Sequence, residues 1–368
     1  MPNGSIDSGI DYVAKFADDL KTEWPTMAAA CVDAIEVQGL LFKHLRQFTS
    51  DDVDVVVFGS LARREWTSGS DVDWTMLIDG QADTQHRWAA REIERSLADI
   101  EFRGTKLNKP GAEGIFGNMA FSHEIVHHIG GQVDTNRNTT QRILLLLEAS
   151  ALRDAKDDLG GPFARIVRQI LNRYLFSDSN FHQQTDNESR IPRFLFNDIV
   201  RYWRTMCVDF AYKDWEQAGK KWAIRNIKLR TSRKLLFMAG LLTVFSCFKN
   251  ESLRRDGTSP DDYLLRLQKH LLHFVRSKPL NIFTWTLREI GMDGQCKAFL
   301  IAYEEYLHRL NDKGTREHLD KLSEKDVYSD TAFLECREVS HRLQGILKSV
   351  CFEQDSPLRE FTCEYGVF

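Results

Sequence analysis

The chain has 368 residues, 42% of them hydrophobic and 28% charged, a balance that excludes collagen-like and largely disordered chains. Its formal net charge of -4 gives no overall electrostatic case for binding nucleic acid. Seven scattered cysteines without a CxxC pair argue against a structural zinc site or a disulfide framework.

The N-terminal stretch MPNGSIDSGIDYVAKFADDL carries acidic residues and lacks the apolar core of a secretory signal. The sequence also lacks an uninterrupted apolar run of about 18 residues, so a membrane span is not expected. These features predict a cytoplasmic protein without a membrane partner.

Apolar residues recur at helical spacing over residues 9–20 and 26–48, and they predict two opening helices. The segment DDVDVVVFGS then predicts a short buried strand that ends in a glycine turn. The segment DVDWTMLIDG alternates in polarity, so it predicts a second strand over 72–79, antiparallel to the first.

A charged amphipathic helix is predicted over 83–102, followed by a loop in RGTKLNKPGAEG. The β-branched and aromatic residues of AFSHEIVHHIGG predict a third strand over 120–131. Long segments with a 3.6-residue period dominate from Asn138 onward. The predicted fold class is therefore α+β, with a small mixed-sheet domain with flanking helices over 1–137 and an all-helical domain over 138–368.

Two aspartates, Asp71 and Asp73, are separated by one residue at the start of the second predicted strand. Side chains at i and i+2 of a strand point to the same side, so both carboxylates are expected to face one spot. Oxygen ligands of this kind suit Mg²⁺, which commonly takes one or two carboxylates together with substrate phosphates. DxD alone is common on solvated surfaces, and the wider pattern gives it weight.

Gly59 and Ser60 supply that wider pattern at the end of the first predicted strand. Glycine lets backbone N–H groups approach a phosphate, and the serine hydroxyl can donate a hydrogen bond to a phosphate oxygen. The whole pattern is a hydrophobic strand, then Gly-Ser, then ten residues, then Asp-Val-Asp leading into another hydrophobic strand. This pattern resembles that of the polymerase-β-like nucleotidyltransferase superfamily. Within it, GSLARREWTSGSDVDW resembles the bacterial GSxARxE and SDxD pattern of the nucleotidyltransferase domains of glutamine-synthetase adenylyltransferase and PII uridylyltransferase.

This resemblance covers residues 53–80 and implies Mg²⁺- or Mn²⁺-dependent transfer of an NMP from an NTP, such as ATP, to a hydroxyl group, with release of pyrophosphate. It implies that Gly59 and Ser60 bind the triphosphate and that Asp71 and Asp73 hold the divalent ions. The acceptor stays open among a protein side chain, an RNA 3′ end, a small molecule and another nucleotide. Solitary architecture favours a stress, toxin or defence role, and the oligomeric state is not predicted.

The superfamily also requires a third carboxylate on a following strand. Glu124, in FSHEIVHH, is the first candidate for this catalytic metal ligand. Asp134, after a Gly-Gly pair, is the second, and Glu113 or a degenerate site completes the possibilities. A degenerate site leads to the alternative hypothesis of a nucleotide-binding or protein-interaction module without catalysis.

Basic residues supply further candidate ligands for phosphate. Arg63 and Arg64 lie in the predicted turn, where either can contact a phosphate or pair with an acid such as Glu65. The acid-free segment KKWAIRNIKLRTSRK places Lys228 and Arg230 on two helical stripes as candidate triphosphate ligands or as part of a solvated face.

Three polar side chains on the apolar segment 193–210 form either a polar network or an acceptor site; they are Asn197, Arg201 and Arg204. The nearby aromatic residues are predicted to pack in the core rather than to stack on bases; they are Tyr202, Trp203, Phe210, Tyr212, Trp215 and Trp222. The histidine cluster is expected to flank the active cleft rather than to bind zinc; it consists of His123, His127 and His128.

Overall fold

A computed structural model describes residues 2, 4–108, 117–153, 160–178, 190–216, 219–248 and 250–366. The chain forms two compact units, one of residues 29–177 and one of residues 1–28 together with 178–368. All the strands of the described residues lie in the first, here called the sheet unit, and the second is called the helical unit. This arrangement confirms the predicted α+β class, with a small mixed sheet, flanking helices and a long helical region.

The sheet unit contains a four-stranded sheet in the order β5-β2-β1-β6 and a separate two-stranded hairpin of β3 and β4. The central strand β1 is antiparallel to both β2 and β6, whereas β2 is parallel to β5, so the sheet is mixed. The strands are β1 (Val53–Phe58), β2 (Trp74–Ile78), β3 (Glu101–Phe102), β4 (Thr105–Lys106), β5 (Met119–Phe121) and β6 (Ala149–Ala151).

Helices cover the two central strands, in which every residue is buried. Val55 and Val57 of β1 share one hydrophobic core with Leu41 of α2 and Ile93 of α4. The described helices that begin before residue 177 in or next to this unit are α2 (Pro25–Leu45), α3 (Gly59–Ala62), α4 (Thr84–Asp99), α5 (Ser122–His127), α6 (Asn136–Leu147) and α7 (Pro162–Phe176), with a 3₁₀ turn at Arg46–Phe48.

One charged residue, Asp54, lies fully buried within β1. Its carboxylate pairs with Arg153, just beyond β6, and accepts a 2.8 Å hydrogen bond from the backbone N–H of Phe163 in the first turn of α7. A buried carboxylate needs such partners, and here they attach β6 and α7 to the sheet. The sheet unit therefore extends to residue 177, past the boundary at 137 and 138 that the sequence predicted.

The segment Pro25–Phe48 is long and apolar enough to cross a membrane by length and composition, with a hydropathy of 1.2. Its residues Val37, Leu41 and Leu45 are buried in the core beneath the sheet. Only 28% of its apolar window is buried, and the expected absence of a membrane span stays a prediction.

The helical unit includes the N-terminal residues as well as the C-terminal half of the chain. Arg288 pairs with Asp19 at 2.8 Å and lies over the ring of Phe16. The Glu304 carboxylate accepts hydrogen bonds from the backbone N–H groups of Thr26 and Met27 at 2.7 and 2.9 Å. These long-range contacts explain why residues 1–28 group with the helices rather than with the predicted 1–137 domain.

The remaining helices all belong to the helical unit. They are α1 (Tyr12–Leu20), α8 (Arg193–Glu216), α9 (Trp222–Arg230), α10 (Ser232–Phe245), α11 (Pro260–Arg276), α12 (Pro279–Glu289), α13 (Asp293–Asn311), α14 (Lys313–Lys321), α15 (Thr331–Phe352) and α16 (Arg359–Phe361), with 3₁₀ turns at Glu251–Leu253 and Val327–Ser329 and a π turn at Thr362–Gly366.

The predicted third strand over 120–131 is wrong for most of its length. Only β5 is extended, and the chain turns into α5 directly afterwards. Ile125 and Val126 are buried on one side of this helix while His123 and Glu124 are exposed. β-Branched residues therefore serve a short amphipathic helix here, and their strand propensity does not decide the structure.

Candidate functional site

The end of β1 and the start of β2 meet at one edge of the sheet because the two strands are antiparallel. Val57 pairs with Trp74, and the backbone N–H of Phe58 donates to the carbonyl oxygen of Asp73 at 2.9 Å. Gly59 and Asp73 are therefore neighbours in space although fourteen positions apart in the sequence. The sheet register thus brings together the two halves of the motif found in the sequence.

Gly59 has a structural reason to be glycine on two counts. Its φ of +68° lies in the left-handed region, which is costly for other residues. A Cβ atom at this position would lie 2.8 Å from Oδ2 of Asp73, closer than real side chains come. The Asp73 carboxylate therefore lies directly against the backbone of the turn between β1 and α3.

Asp71 and Asp73 share one side of the extended segment that leads into β2. Val72 and Trp74, which alternate with them, are buried in the hydrophobic core, whereas both aspartates are half-buried. This alternation is that of a strand, in which residues 71 and 73 lie on the same side.

Asn108 lies beside this segment, and the sequence alone did not indicate it. It forms a parallel β-bridge with Asp71, and its carbonyl oxygen accepts from the backbone N–H of Val72 at 3.1 Å. Its side-chain amide donates to the carbonyl oxygen of Ser70 at 3.2 Å. Asn108 therefore holds the Asp-Val-Asp segment extended from its open edge.

Ser60 belongs to a cluster of three hydroxyl groups. Its Oγ donates to Oγ of Ser70 at 3.1 Å, and that oxygen also accepts from the backbone N–H of Thr67 at 3.1 Å. Thr67 Oγ1 lies 3.0 Å from the same oxygen. Ser70, which directly precedes Asp71, thereby fixes the Ser60 hydroxyl at the start of α3.

The two arginines of the turn differ in their surroundings. Arg63 is buried, with its Nε 2.9 Å from Oε2 of Glu65 and its Nη1 paired with the carboxylate of Glu148. Arg64 is exposed and has a φ of +61°. Of the two alternatives for Arg63, the structure thus gives the ion pair, and Arg64 is the arginine of the turn that solvent or a ligand can reach.

The segment that carries the Gly-Ser turn and the two aspartates is similar to a known domain family. Residues 40–104 match the nucleotidyltransferase domain family. The match contains the Gly-Ser turn, both aspartates, β1 and β2, and it supports membership of this domain in the polymerase-β-like superfamily. Comparison with curated proteins gives no match.

Glu124 is the first candidate for a third carboxylate. It follows β5, at the end of that strand far from Asp73. Because β5 runs parallel to β2 and pairs Phe121 with Ile78, α5 begins at the end of the sheet far from Asp73. Five residues of strand separate Ile78 from Asp73, or roughly 16 Å. The structure thus places Glu124, exposed on a helix, apart from the two aspartates.

Asp134, the second candidate, already has a structural partner. It forms a two-pronged ion pair with the fully buried Arg142, with N–O distances of 2.8 and 2.9 Å. Arg142 also donates to the Tyr174 hydroxyl at 3.0 Å. If the Asp134 carboxylate turned away to bind a metal ion, the buried guanidinium of Arg142 would be left without its carboxylate. Glu113 lies outside the described residues.

The pair Asp71 and Asp73 fits a divalent cation better than any other pair of acids singled out from the sequence. Two half-buried carboxylates share one side of a strand, and one of them lies against a backbone turn that a Cβ would fill. Among the residues that the structure describes, no group of three or more His, Cys, Asp or Glu side chains is placed to hold one metal ion. This statement includes the clustered histidines: the ring centroid of His123 lies 5.0 Å from that of His127 and 5.6 Å from that of His128, and the three do not form such a group.

The remaining predicted ligands lie in the helical unit. Lys228 is half-buried and Arg230 is exposed, both on α9. On α8, Asn197 and Arg204 are exposed, and Arg201 lies 3.9 Å from Asp198. Their roles toward triphosphate or acceptor stay predictions.

Proposed function

We propose that this protein is an Mg²⁺-dependent nucleotidyltransferase that transfers an NMP from an NTP to a hydroxyl group. The match to the nucleotidyltransferase domain family supports the reaction class. The observation that carries the proposal is the approach of the Asp73 carboxylate to Gly59, because it joins the anion-binding turn and the cation-binding acids in one site.

Asp71 and Asp73 would hold the divalent ion, Mg²⁺ or Mn²⁺, and this ion would neutralise negative charge on the triphosphate. Ser60, whose O–H donates to Oγ of Ser70 in the structure, would turn this O–H to a phosphate oxygen, and Gly59 would let the backbone approach the phosphates. The exposed guanidinium of Arg64 is the nearest cation of the turn for the same polyanion. Lys228 and Arg230 are proposed as secondary phosphate ligands.

In the proposed reaction the acceptor oxygen forms a bond to the α-phosphorus, and the bond from this phosphorus to the β-bridging oxygen breaks. Pyrophosphate leaves with the bonding electrons, and the acceptor hydroxyl loses its proton to solvent. Positioning and charge stabilisation account for most of the catalysis in such phosphoryl transfers. The acceptor is a protein, an RNA 3′ end, a small molecule or a nucleotide.

The test is incubation of the purified protein with each α-³²P-labelled NTP, Mg²⁺ or Mn²⁺ and a cell extract, followed by separation of protein, RNA and small molecules. We expect label in one fraction with the wild type and none with Asp71→Asn or Asp73→Asn. Asp99→Asn is the matched control, because this carboxylate is 85% exposed and lies in the same unit. Equal labelling by all four proteins would overturn the proposal.

A second candidate function is a nucleotide-binding module without transfer. It is favoured by one observation, namely that the described residues contain no third acid grouped with Asp71 and Asp73. This alternative predicts NTP binding that does not depend on the metal or on Asp71 and Asp73, without labelling of any fraction and without release of pyrophosphate.

A further inference from the structure

The stretch from Arg193 to Lys234 carries positive charge that the chain as a whole does not. It contains eleven lysines and arginines against four acids, whereas the full chain has 49 basic and 53 acidic residues. This stretch forms α8, α9 and the start of α10, and α8 and α9 pack together, with Phe210 against Trp222 at 5.9 Å between ring centroids. Basic charge is thus concentrated on one part of the helical unit.

One side of α8, here called the α8 face, carries large side chains in solvent. Val208, Tyr212 and Trp215 are 70%, 55% and 79% exposed. Together with the exposed Arg204 they lie within one stripe, because positions 204, 208, 212 and 215 fall within about 80° around a helix. The Tyr212 and Trp215 rings are neighbours, with centroids 6.1 Å apart and planes tilted by 41°.

The α8 face is distinct from the side of α8 that packs in the core. Tyr202 of α8 and Trp222 of α9 are buried, as predicted for the aromatic residues of this region. Tyr212 and Trp215 are exposed, so the prediction of core packing is wrong for these two. Burial inside the unit therefore gives no account of why a tryptophan and a tyrosine occur here.

The cations of α8, of α9 and of the segment just before α9 are only partly neutralised. Lys213 pairs with Asp209 at 3.0 Å and Arg225 with Asp214 at 3.5 Å. Within the described parts of α8 and α9, no ion pair is found for Arg204, nor for Lys220 or Lys221 at the start of α9. Exposed rings on the same stripe as the unpaired Arg204, within a basic stretch of the chain, match a polyanion that also carries flat aromatic groups.

We infer that the α8 face binds single-stranded nucleic acid, with bases stacked on Trp215 and Tyr212 and a phosphate held by Arg204. Base stacking on exposed aromatic rings together with a basic surface is the common means of binding unpaired strands. As a role, this inference rests on the proposed function, because it makes the nucleic acid the acceptor of the NMP. The binding itself does not require catalysis.

The test measures binding of a fluorescein-labelled, unstructured 15-nucleotide RNA and the matching DNA to the full chain by fluorescence anisotropy. We expect Trp215→Ala to weaken binding about tenfold, within the range that one stacked base contributes. Arg204→Gln should reduce the slope of log K against log salt by about 0.7, as expected for one lost phosphate contact. Trp88→Ala is the matched control, because Trp88 is 62% exposed on α4 of the sheet unit, and it should bind like the wild type.

Three results would overturn the inference. One is equal affinity of Trp215→Ala and wild type, and another is displacement of the RNA by polyglutamate as readily as by unlabelled RNA. The third is a dimer in sedimentation that Trp215→Ala abolishes, which would assign the face to a second copy of this chain. The Asp71→Asn, Asp73→Asn double variant should bind the RNA like the wild type. RNA binding without labelling of any fraction would count against the proposed transfer only. Labelling of a protein or a small molecule without RNA binding would count against this inference only.

Discussion

Substitution of Gly59 by alanine tests the contact between the turn and the acids directly. The new Cβ would lie 2.8 Å from Oδ2 of Asp73, so the carboxylate has to move away from the turn. We expect the displaced carboxylate to lose its share of the cation, and with it most metal-dependent nucleotide binding and transfer.

The cost in stability is separable from this loss. An alanine held at a φ of +68° costs about 1–2 kcal/mol, which corresponds to a Tm lower by about 2–8 °C for a unit of this size. Gly104→Ala is the matched control, because Gly104 has a φ of +76° in the same unit and a Cβ there meets nothing within 4 Å. Both variants should therefore lose similar stability.

The assay compares thermal unfolding and Mg²⁺-dependent NTP binding of the wild type, Gly59→Ala and Gly104→Ala. Only Gly59→Ala should lose the effect of Mg²⁺ on binding, by at least tenfold in affinity. The reasoning is refuted if the two variants lose stability and retain Mg²⁺-dependent binding to the same extent.

Other substitutions separate structural charges from functional ones. Arg63→Ala should lower the free energy of unfolding by about 3–5 kcal/mol, measured in urea, because it leaves Glu65 and Glu148 buried without their cation. Arg64→Ala should leave the free energy of unfolding unchanged, and equal losses in the two variants would contradict the structural role of Arg63. Asp134→Asn should lower the Tm through Arg142 while the Mg²⁺ requirement stays unchanged; a changed requirement would make Asp134 a metal ligand. Burial, with a smaller effect of His273, lowers the pKa of His270 to about 4. The free energy of unfolding that this neutral histidine maintains above pH 6.5 should therefore fall by about 3 kcal/mol as the pH drops toward 4. Urea denaturation of the wild type and His270→Gln over this pH range measures the effect, and parallel pH profiles of the two proteins would contradict it.

The local part of the site was predictable because its signals are local. The valine run of β1 ends at Gly59, and the alternation of Asp71, Val72 and Asp73 already defines which side chains share a face. The antiparallel pairing of β1 and β2 follows from these short segments. The two central strands, their antiparallel pairing and the two aspartates could therefore be predicted without coordinates.

The parts that were not predicted depend on distant residues. The boundary of the sheet unit depends on β6 and on the buried pair of Asp54 and Arg153, which are 99 positions apart. Asn108 reaches Asp71 only through the path of the intervening chain. The aromatic character of Trp215 predicted core packing, although its position on α8 lies opposite to the buried side. Long-range pairing rather than local propensity decided each of these features.

The most direct test of the central claim is the affinity of the wild type and the Asp71→Asn, Asp73→Asn double variant for a non-hydrolysable NTP, measured by calorimetry with and without Mg²⁺. We expect Mg²⁺ to increase the affinity of the wild type at least tenfold and to leave the double variant unaffected. An affinity that is the same in both proteins and independent of Mg²⁺ would contradict the claim that these two carboxylates hold a cation beside the triphosphate.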